Sequence, residues 1–354
     1  MIIYIKKETI LAIIVIIIIG IIGWHFSIQP LKTKEFGKEK IKKEVVVYVA
    51  HDQDYSEPIL QDFEKDTGIK VLSLFDIEIS KTVGLVNRLI AEKNNPQADV
   101  FWNNEMIRSV QLKKEGIFEK YISANSIDIP IEFKDSEGYW TGFAARTRVI
   151  IYNTDLVSDK EAPDSFFDFA EPQWKGKACI ANPLTGTTAS HISALFALLG
   201  DEKAKNFLND LKANDIQIVA SNSMVRDEVV SRGCLIGITD TDDANDAIVK
   251  GKPIKMIFPD QKGIGTLIIP NTVGLINNAP HKNEGKKLID YLLSKEIEKR
   301  LSETKAIQMP IRPNIETPPN VPELNKIKAM QITSEEIQEK LKVSTDFIKN
   351  IFIK

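Results

Sequence analysis

The fold is decided by the stretch Lys177-Ala-Cys-Ile-Ala-Asn-Pro-Leu-Thr-Gly-Thr-Thr-Ala-Ser-His191, which continues as Ile-Ser-Ala-Leu-Phe-Ala-Leu-Leu-Gly200. Its first part predicts a short buried strand over 178–181 and a turn at Asn182 and Pro183. Its second part predicts a helix that ends at Gly200, because apolar residues recur there at helical spacing. A strand, a loop and a helix in this order form the repeating unit of an α/β fold.

The loop of this stretch has the composition of an anion site. Thr185, Thr187 and Thr188 supply hydroxyl groups, and Gly186 lets a ligand approach the backbone. The unpaired N–H groups of the following helix turn carry the positive end of the helix dipole. A threonine that only caps the helix would give the same pattern. We therefore expect an anion here if other parts of the chain supply further partners.

Size and charge limit the functions open to this chain. It has 354 residues, of which 43% are hydrophobic and 27% are charged, and this length favours two lobes over a single core. A formal net charge of -3 argues against nucleic acid as the main partner. The two cysteines, Cys179 and Cys234, could form a disulfide in an exported protein or remain buried thiols.

Residues 1–43 differ from the rest of the chain. Lys6 and Lys7 precede an apolar run over 10–24, and a basic stretch over 32–43 follows it. The run is long for a cleaved signal peptide, and neither a small-residue cleavage site nor a cysteine for lipidation follows it. We expect an N-terminal membrane anchor, with cleavage as the alternative. The body would then lie on the periplasmic or cell-surface side of the cytoplasmic membrane.

From Val45 onwards, predicted strands and helices alternate. Strands over 45–50, 69–75 and 99–102 are separated by helices over 56–67 and 83–93, which indicates a mostly parallel sheet. Ligands of such sheets bind at the carboxyl ends of the strands. The polar residues that follow the first and third strands are therefore candidate ligand contacts: His51, Asp52, Asn103, Asn104 and Glu105.

A long strand predicted over 142–152 carries Arg146 and Arg148, and its length suggests that it passes between two lobes. The alternation then repeats, and the strand ends again supply polar residues. These candidates are Asn222, Ser223, Asp240, Asp242 and Asp243. An acidic loop next to a helix cap would have the same composition without any ligand, so both interpretations stay open.

The rest of the chain completes two lobes. A return crossing is predicted in two pieces over 267–270 and 272–276, a helix over 284–303 that packs on the first lobe, and a final helix over 334–354. The predicted domains are an anchor over 1–43, a first lobe over 44–130 plus 266–310, and a second lobe over 131–265 plus 311–354. The fold class is α/β, with mixed, mostly parallel sheets joined by hinge-crossing strands.

Seven short motifs occur in a characteristic order along this body. They are Val-Tyr-Val-Ala-His-Asp-Gln (47–53), Phe-Glu-Lys-Asp-Thr-Gly-Ile-Lys-Val (63–71), Ala-Asp-Val-Phe-Trp (98–102), Ala-Arg-Thr-Arg-Val (145–149), Pro-Gln-Trp-Lys-Gly (172–176), Pro-Leu-Thr-Gly (183–186) and Gln-Met-Pro-Ile-Arg (308–312). With them the chain resembles the periplasmic solute-binding proteins of bacterial ABC importers, in the two-lobed (type II) group that includes the ferric-ion-binding proteins.

The resemblance implies specific roles for several residues. In ferric-binding members an anion sits on the helix N-terminus that matches Thr185, Gly186 and Thr187, and an arginine that matches Arg146 completes its site. The iron is held there by two adjacent tyrosines and, in many members, by a histidine and a glutamate. The tyrosines would fall at about Asp242 and Asp243, the glutamate at about Asn104, and the histidine at His51 or Asp52.

The aspartates at the tyrosine positions keep two ligand classes open. Phenolates are hard anionic donors that suit ferric iron, whereas carboxylates change the reach and the geometry of the site. Asp242 and Asp243 could still bind a hard cation, or they could accept hydrogen bonds from ligand hydroxyls or amines. The cargo is then either ferric iron with an accompanying anion, or a phosphorylated or carboxylated small organic molecule.

The resemblance implies a binding protein and not an enzyme. Such a protein captures its ligand between two lobes and presents the closed form to an ABC permease, for which a monomer suffices. A membrane-tethered, metal-dependent phosphate-ester hydrolase that uses the aspartates is an alternative from another class. Against it, the sequence has no Ser-His-Asp order, nucleophile elbow or His-rich metal spacing. A sensory module that reports occupancy to a membrane partner is a third hypothesis.

Overall fold

The computed structural model describes residues 43–76 and 83–352. The predicted anchor over 1–43 lies outside the described residues, except for Lys43. Among residues 43–76 and 83–352, none of the helices has the length and apolar composition of a membrane span.

The described strands are short, apart from two long ones. They are β1 Glu44–Val49, β2 Lys70–Phe75, β3 Val100–Asn103, β4 Phe118–Glu119, β5 Thr141–Asn153, β6 Ala178–Ala181, β7 Gln217–Val219, β8 Ile236–Asp240, β9 Ile254–Ile257 and β10 Ile268–Ile276.

The described α-helices lie between these strands and after β10. They are α1 Gln53–Thr67, α2 Val83–Ala91, α3 Ile107–Lys114, α4 Gly186–Leu199, α5 Asp201–Ala213, α6 Asn222–Ser231, α7 Thr241–Val249, α8 Lys282–Leu292, α9 Lys295–Glu303 and α10 Ser334–Phe352.

Strand β5 belongs to two half-sheets. The strand order is β2-β1-β3-β10-β5-β8-β6-β7, with β4 added beside β10 and β9 beside β5. The outer strands β1, β2 and β3 pair in parallel, as do β6, β7 and β8, whereas β5 and β10 pair antiparallel with their neighbours. All of β5 is buried. The predicted α/β fold with strands that cross between two halves is confirmed.

Two predicted elements need correction. The helix predicted over 284–303 is two helices, because α8 ends at Leu292 and Ser294 caps α9 by accepting a hydrogen bond from the N–H of Ile297. The crossing predicted as two pieces over 267–276 is the single strand β10, with an irregular register between Pro270 and Asn271. Proline lacks the N–H that a regular ladder needs, which explains this irregularity.

The acidic stretch over 239–243 is also not a loop. Strand β8 extends to Asp240, and α7 begins directly at Thr241, so that Asp242 and Asp243 lie in the first turn of a helix. Carboxylates are favourable at this position because they interact with the positive end of the helix dipole. The sequence pattern of a loop and that of a helix start differ little here, since aspartate suits both.

Both half-sheets are covered by helices. Helices α8 and α9 bury Leu288, Ile297 and Leu301 against the core of the first half-sheet. The last helix, α10, packs mainly on α4, and its buried Ile337 and Ile348 join the core of the second half-sheet. The predicted lobe boundaries stay a prediction.

Candidate functional site

Four helix N-termini meet at one cleft. Residues at the start of α1, α4, α6 and α7 line a cavity of about 420 Å³, which also contains Asn104 and Arg146. Helix α1 follows a strand of the first half-sheet, whereas α4, α6 and α7 follow strands of the second. The rule that ligands bind beyond the carboxyl ends of strands therefore applies to this cleft.

The start of α4 offers free backbone donors to the cleft. Gly186 has φ +57°, and Gly186 and Thr187 both line the cavity. Among the described residues, the N–H groups of Gly186, Thr187 and Thr188 have no hydrogen-bond acceptor. The N-cap residue Thr185 makes no side-chain cap, and the first turn carries no acidic residue. This helix end can therefore hold an anion through its backbone and its dipole.

Below the cleft, Asp240 is held between two arginines. Its Oδ1 lies 2.5 Å from Nη1 of Arg148, and its Oδ2 lies 3.3 Å from Nε of Arg146. Arg148 also donates to the carbonyl oxygen of Ile238. All three charged side chains are almost completely buried. Because buried charges need partners, this group fixes the end of β8 against β5.

The side chains of Thr187 and Asn222 complete the coordination of Asp240. The Thr187 hydroxyl donates to Asp240 Oδ2 at 2.8 Å and accepts from Arg148 and from Asn222. Asn222 also donates to Asp240 Oδ2 at 3.2 Å. A threonine hydroxyl has one donor and two acceptor positions, so this one is saturated. At Thr187 a ligand therefore finds the backbone N–H and not the hydroxyl.

The opposite side of the cleft is acidic. Of the described residues that line it, six are aspartates and three are basic. Arg146 donates to Asp242 Oδ2 at 3.0 Å and to the carbonyl oxygen of Asn104 at 3.3 Å. Oxygen atoms of Asp240, Asp242 and Asp243 lie within 4.8 Å of one another, so these are the described carboxylates that could hold a metal ion.

These carboxylates shift the pKa values of two neighbouring groups. Burial alone would lower the pKa of Arg146, but the charges of Asp242 and Asp240 raise it above its ordinary value. Burial, followed by the charges of four nearby aspartates, raises the pKa of Tyr55 to about 12. Tyr55 is therefore a neutral phenol at physiological pH.

Most of the predicted site residues meet at this cleft. Those that line it are Asp52, Asn104, Arg146, Gly186, Thr187, Asn222, Ser223, Asp240, Asp242 and Asp243. Thr185 and Thr188 lie next to its lining, in the cap and first turn of α4. Thr188 accepts a hydrogen bond of 3.4 Å from Arg148.

His51 points toward the crossing strands. Its Nε2 lies 2.7 Å from Nε2 of Gln308, and its Nδ1 lies 3.3 Å from the carbonyl oxygen of Asp52. Gln308 Oε1 accepts from Asn271, which also donates to the carbonyl oxygens of Phe143 and Ala144. His51 thus joins the end of β1 to β5 and β10, and it is not part of the cleft lining.

Asn103 and Glu105 serve the start of α3. Glu105 accepts hydrogen bonds from the N–H groups of Ile107 and Arg108, at 2.8 and 3.0 Å. Asn103 donates to the backbone oxygen of Glu105. Burial raises the pKa of Glu105 despite the nearby charge of Arg108. These two side chains hold the turn that presents Asn104 to the cleft.

The sequence analysis missed several residues of the lining. They are Asp54, Tyr55, Arg226 and Lys250. The helix predicted over 56–67 begins three residues earlier, at Gln53, with Asp54 in its first turn. An acid near a helix start is a usual signal, and it would have placed Tyr55 at the cleft.

A second, larger groove has a different character. It measures about 1110 Å³ and is lined mainly by apolar and proline residues from 310–336 and from β10, such as Ile268, Pro310 and Ile327. It shares no described lining residue with the cleft. The charged and polar groups expected of a solute site converge at the cleft and not at this groove.

Several known proteins are similar to this chain in sequence or in structure. Iron uptake protein A1 of Synechocystis sp. is 27% identical over 265 residues, which is 72% of each chain. The putative 2-aminoethylphosphonate-binding periplasmic protein of Salmonella typhi is 29% identical over 236 residues, covering 65% of this chain and 67% of that one. The apo ferric ion-binding protein A of Pasteurella haemolytica superposes with a TM-score of 0.79 at 26% identity, over 88% of this chain and 100% of that one.

A family model described as "Bacterial extracellular solute-binding protein" matches residues 95–339. This range includes most of the cleft, from Asn104 to Lys250. The two-lobed fold and the position of the cleft are those expected of such proteins. The chain therefore belongs to the bacterial extracellular solute-binding protein family.

Proposed function

We propose that this protein is the substrate-binding component of an ABC importer and captures a small molecule that bears an anionic oxygen group. The observation that carries the proposal is the start of α4, where the backbone N–H groups of Gly186, Thr187 and Thr188 lack an acceptor among the described residues and where Gly186 and Thr187 line the cleft. A phosphate, phosphonate or carboxylate would accept from these donors and interact with the helix dipole. Arg146 lies across the same cleft and adds positive charge.

Delivery to a membrane permease follows from the family. Its proteins present a bound solute to a transporter, and relatives of this chain are named as periplasmic binding proteins. Binding without turnover is consistent with the described cleft, in which Asp240, Asp242 and Asp246 are paired with arginines. We propose the external side of the cytoplasmic membrane as the location, with residues 1–43 as the tether.

Ferric iron is the second candidate, since Asp240, Asp242 and Asp243 bring oxygen atoms within 4.8 Å. A relative named as an iron uptake protein supports it. However, both oxygens of Asp240 already accept hydrogen bonds from arginine, threonine and asparagine. A ferric ion would compete with these donors for the oxygens of Asp240, so we favour an organic anion over the metal.

The test is isothermal titration calorimetry of the full-length chain with ethyl phosphate, propionate and ferric citrate, together with a visible absorption spectrum. In Thr185→Asp, a carboxylate would cap α4 and repel the ligand anion, so we expect affinity to fall at least about tenfold while the helix keeps its stability. Ser294→Asp makes the same change at the N-cap of α9 and should leave binding unchanged. Equal affinity of both variants would contradict the proposal, and stoichiometric iron colour would favour the second candidate.

A further inference from the structure

The carboxylate of Glu105 has hydrogen-bond partners on elements that follow both half-sheets. It accepts from the N–H groups of Ile107 and Arg108 at the start of α3, which follows β3 of the first half-sheet. Its Oε2 also accepts from the hydroxyl of Ser190 at 3.3 Å, on α4, which follows β6 of the second half-sheet. Glu105 and Ser190 are both buried, so water competes little for this bond.

The bond between Glu105 and Ser190 lies directly behind the cleft. Asn104, which lines the cleft, immediately precedes Glu105 in the chain. Ser190 lies one helical turn after Gly186, which also lines the cleft, and the Ser190 hydroxyl donates to the carbonyl oxygen of Gly186 at 3.4 Å. One lining position from each half-sheet is therefore separated from this bond by no more than one residue or one turn.

The turn that carries Glu105 is also packed and hydrogen-bonded on its other sides. The hydroxyl of Thr272 on β10 donates to the backbone oxygen of Glu105 at 3.4 Å and lies 2.6 Å from Oγ of Ser109. Ile107 belongs to the same hydrophobic core as Ile192 of α4. Because close-packed elements transmit displacements, a shift of the start of α4 would reach this turn through Glu105.

We propose that Glu105 is a positioning residue that couples the two sides of the cleft. Through its bond with Ser190 it fixes the distance between Asn104 and the N–H groups at the start of α4. The proposal rests on the proposed function, because a ligand anion at α4 would be held against the side that carries Asn104. Glu105 is not among the described residues that line the cleft, so it acts on a ligand through these neighbours.

Helix α4 offers a matched pair of variants, Ser190→Ala and Ser193→Ala. The hydroxyl of Ser193 is also buried, donates to the carbonyl oxygen of Ala189 at 2.8 Å and lies 2.9 Å from Oγ of Ser344 on α10. Each substitution therefore removes one buried hydroxyl, one bond to the preceding turn of α4 and one tertiary bond. Only Ser190→Ala removes the bond to Glu105.

The first measurement is hydrogen–deuterium exchange of the ligand-free, full-length chain, followed by mass spectrometry over residues 105–109. In Ser190→Ala we expect the backbone amides of this segment to exchange at least about threefold faster than in the unmodified protein, because Glu105 is held less firmly. Ser193→Ala should leave their exchange unchanged. Unchanged exchange in Ser190→Ala, or equal acceleration in both variants, would overturn the proposal.

Calorimetry with ethyl phosphate and propionate distinguishes a failure of this proposal from a failure of the proposed function. Ser190→Ala should weaken whichever compound binds at least about threefold, whereas Ser193→Ala should bind it as the unmodified protein does. Faster exchange with unchanged affinity in Ser190→Ala would overturn the positioning role and leave the proposed function standing. If neither compound binds the unmodified protein, the proposed function fails, and the exchange measurement alone decides whether Glu105 couples the two sides.

Discussion

Nη1 of Arg148 lies 2.5 Å from Oδ1 of Asp240, and both side chains are buried beneath the cleft. The pair joins β5 to the end of β8, the strand from which α7 starts. Asp240 thus neutralises buried arginine charge and positions Thr187 at the start of α4. The sequence suggested a ligand role for Asp240, and its contacts add a structural one.

We expect Asp240→Asn to lower the free energy of unfolding by about 3–5 kcal/mol, because it leaves buried arginine charge uncompensated. Urea denaturation followed by tryptophan fluorescence would measure the loss. Asp155→Asn breaks an exposed pair with Arg232 and should cost less than about 1 kcal/mol. A loss in Asp240→Asn no larger than in this control would show that the buried pair does not stabilise the fold.

The hydrogen bonds that join His51, Gln308 and Asn271 predict a second effect on stability. In Gln308→Leu, His51 loses a donor and Asn271 loses an acceptor, and both groups are buried. Each lost hydrogen bond contributes about 0.5–1.5 kcal/mol, so the variant should be clearly less stable in thermal or urea unfolding. Gln331→Leu, at an exposed site, serves as the comparison. Equal stability of the two variants would mean that this chain of hydrogen bonds contributes little.

His191 predicts a dependence of stability on pH. Its side chain stacks on Phe166, and burial together with the charge of Arg148 lowers its pKa well below 6.5. The unfolded chain therefore binds a proton below pH 6.5 that the folded chain does not. The contribution of His191 to the free energy of unfolding is complete above pH 6.5. It decreases as the pH drops, by up to about 1.4 kcal/mol per pH unit.

In His191→Gln this contribution disappears, so the unfolding free energy should depend less steeply on pH between 6.5 and 5 than in the unmodified protein. The difference between the two slopes isolates His191, since the carboxylates are common to both proteins. Parallel slopes would show that the pKa of His191 is not lowered.

The left-handed backbone conformation of Gly186 predicts that its substitution lowers stability. Its φ is +57°, and a Cβ added there would meet open space, so Gly186→Ala should cost about 1–2 kcal/mol from the left-handed conformation alone. Gly263→Ala has an ordinary φ and only van der Waals neighbours, and it should be nearly neutral. Calorimetric melting of both variants measures the difference. A neutral Gly186→Ala would show that the loop can adopt another conformation.

The sequence allowed the fold to be predicted because strands such as β1 and β6 are continuous apolar runs followed by polar residues. It also indicated Arg146 and Gly186, which lie at strand ends or helix starts with a distinctive composition. Helix boundaries were less predictable. Asp240, Asp242 and Asp243 suit a loop and a helix N-terminus equally, and only the contacts of β8 with β5 decide between the two.

Side-chain direction could not be predicted for several candidates. His51 follows β1 as a ligand residue would, but its ring turns toward Gln308, which is distant in sequence. The hydroxyl of Thr187 is engaged by Asp240 and Arg148 for the same reason. Such pairings depend on tertiary contacts, which no local pattern contains. Tyr55 was missed because the start of α1 was placed three residues too late.

The continuity of β5 through both half-sheets has a mechanical consequence. The thirteen buried residues of β5 span about 43 Å. A bend of roughly 20° at the middle of the strand would displace either end by about 7 Å. Arg146 lies close to the middle of β5, where such a bend moves atoms least. Helix α1 follows a strand of the first half-sheet and α7 a strand of the second, so such a bend would change the distance between Tyr55 and Asp243. We therefore expect a contact between Arg146 and a bound ligand to change less during such a bend than the distance between Tyr55 and Asp243.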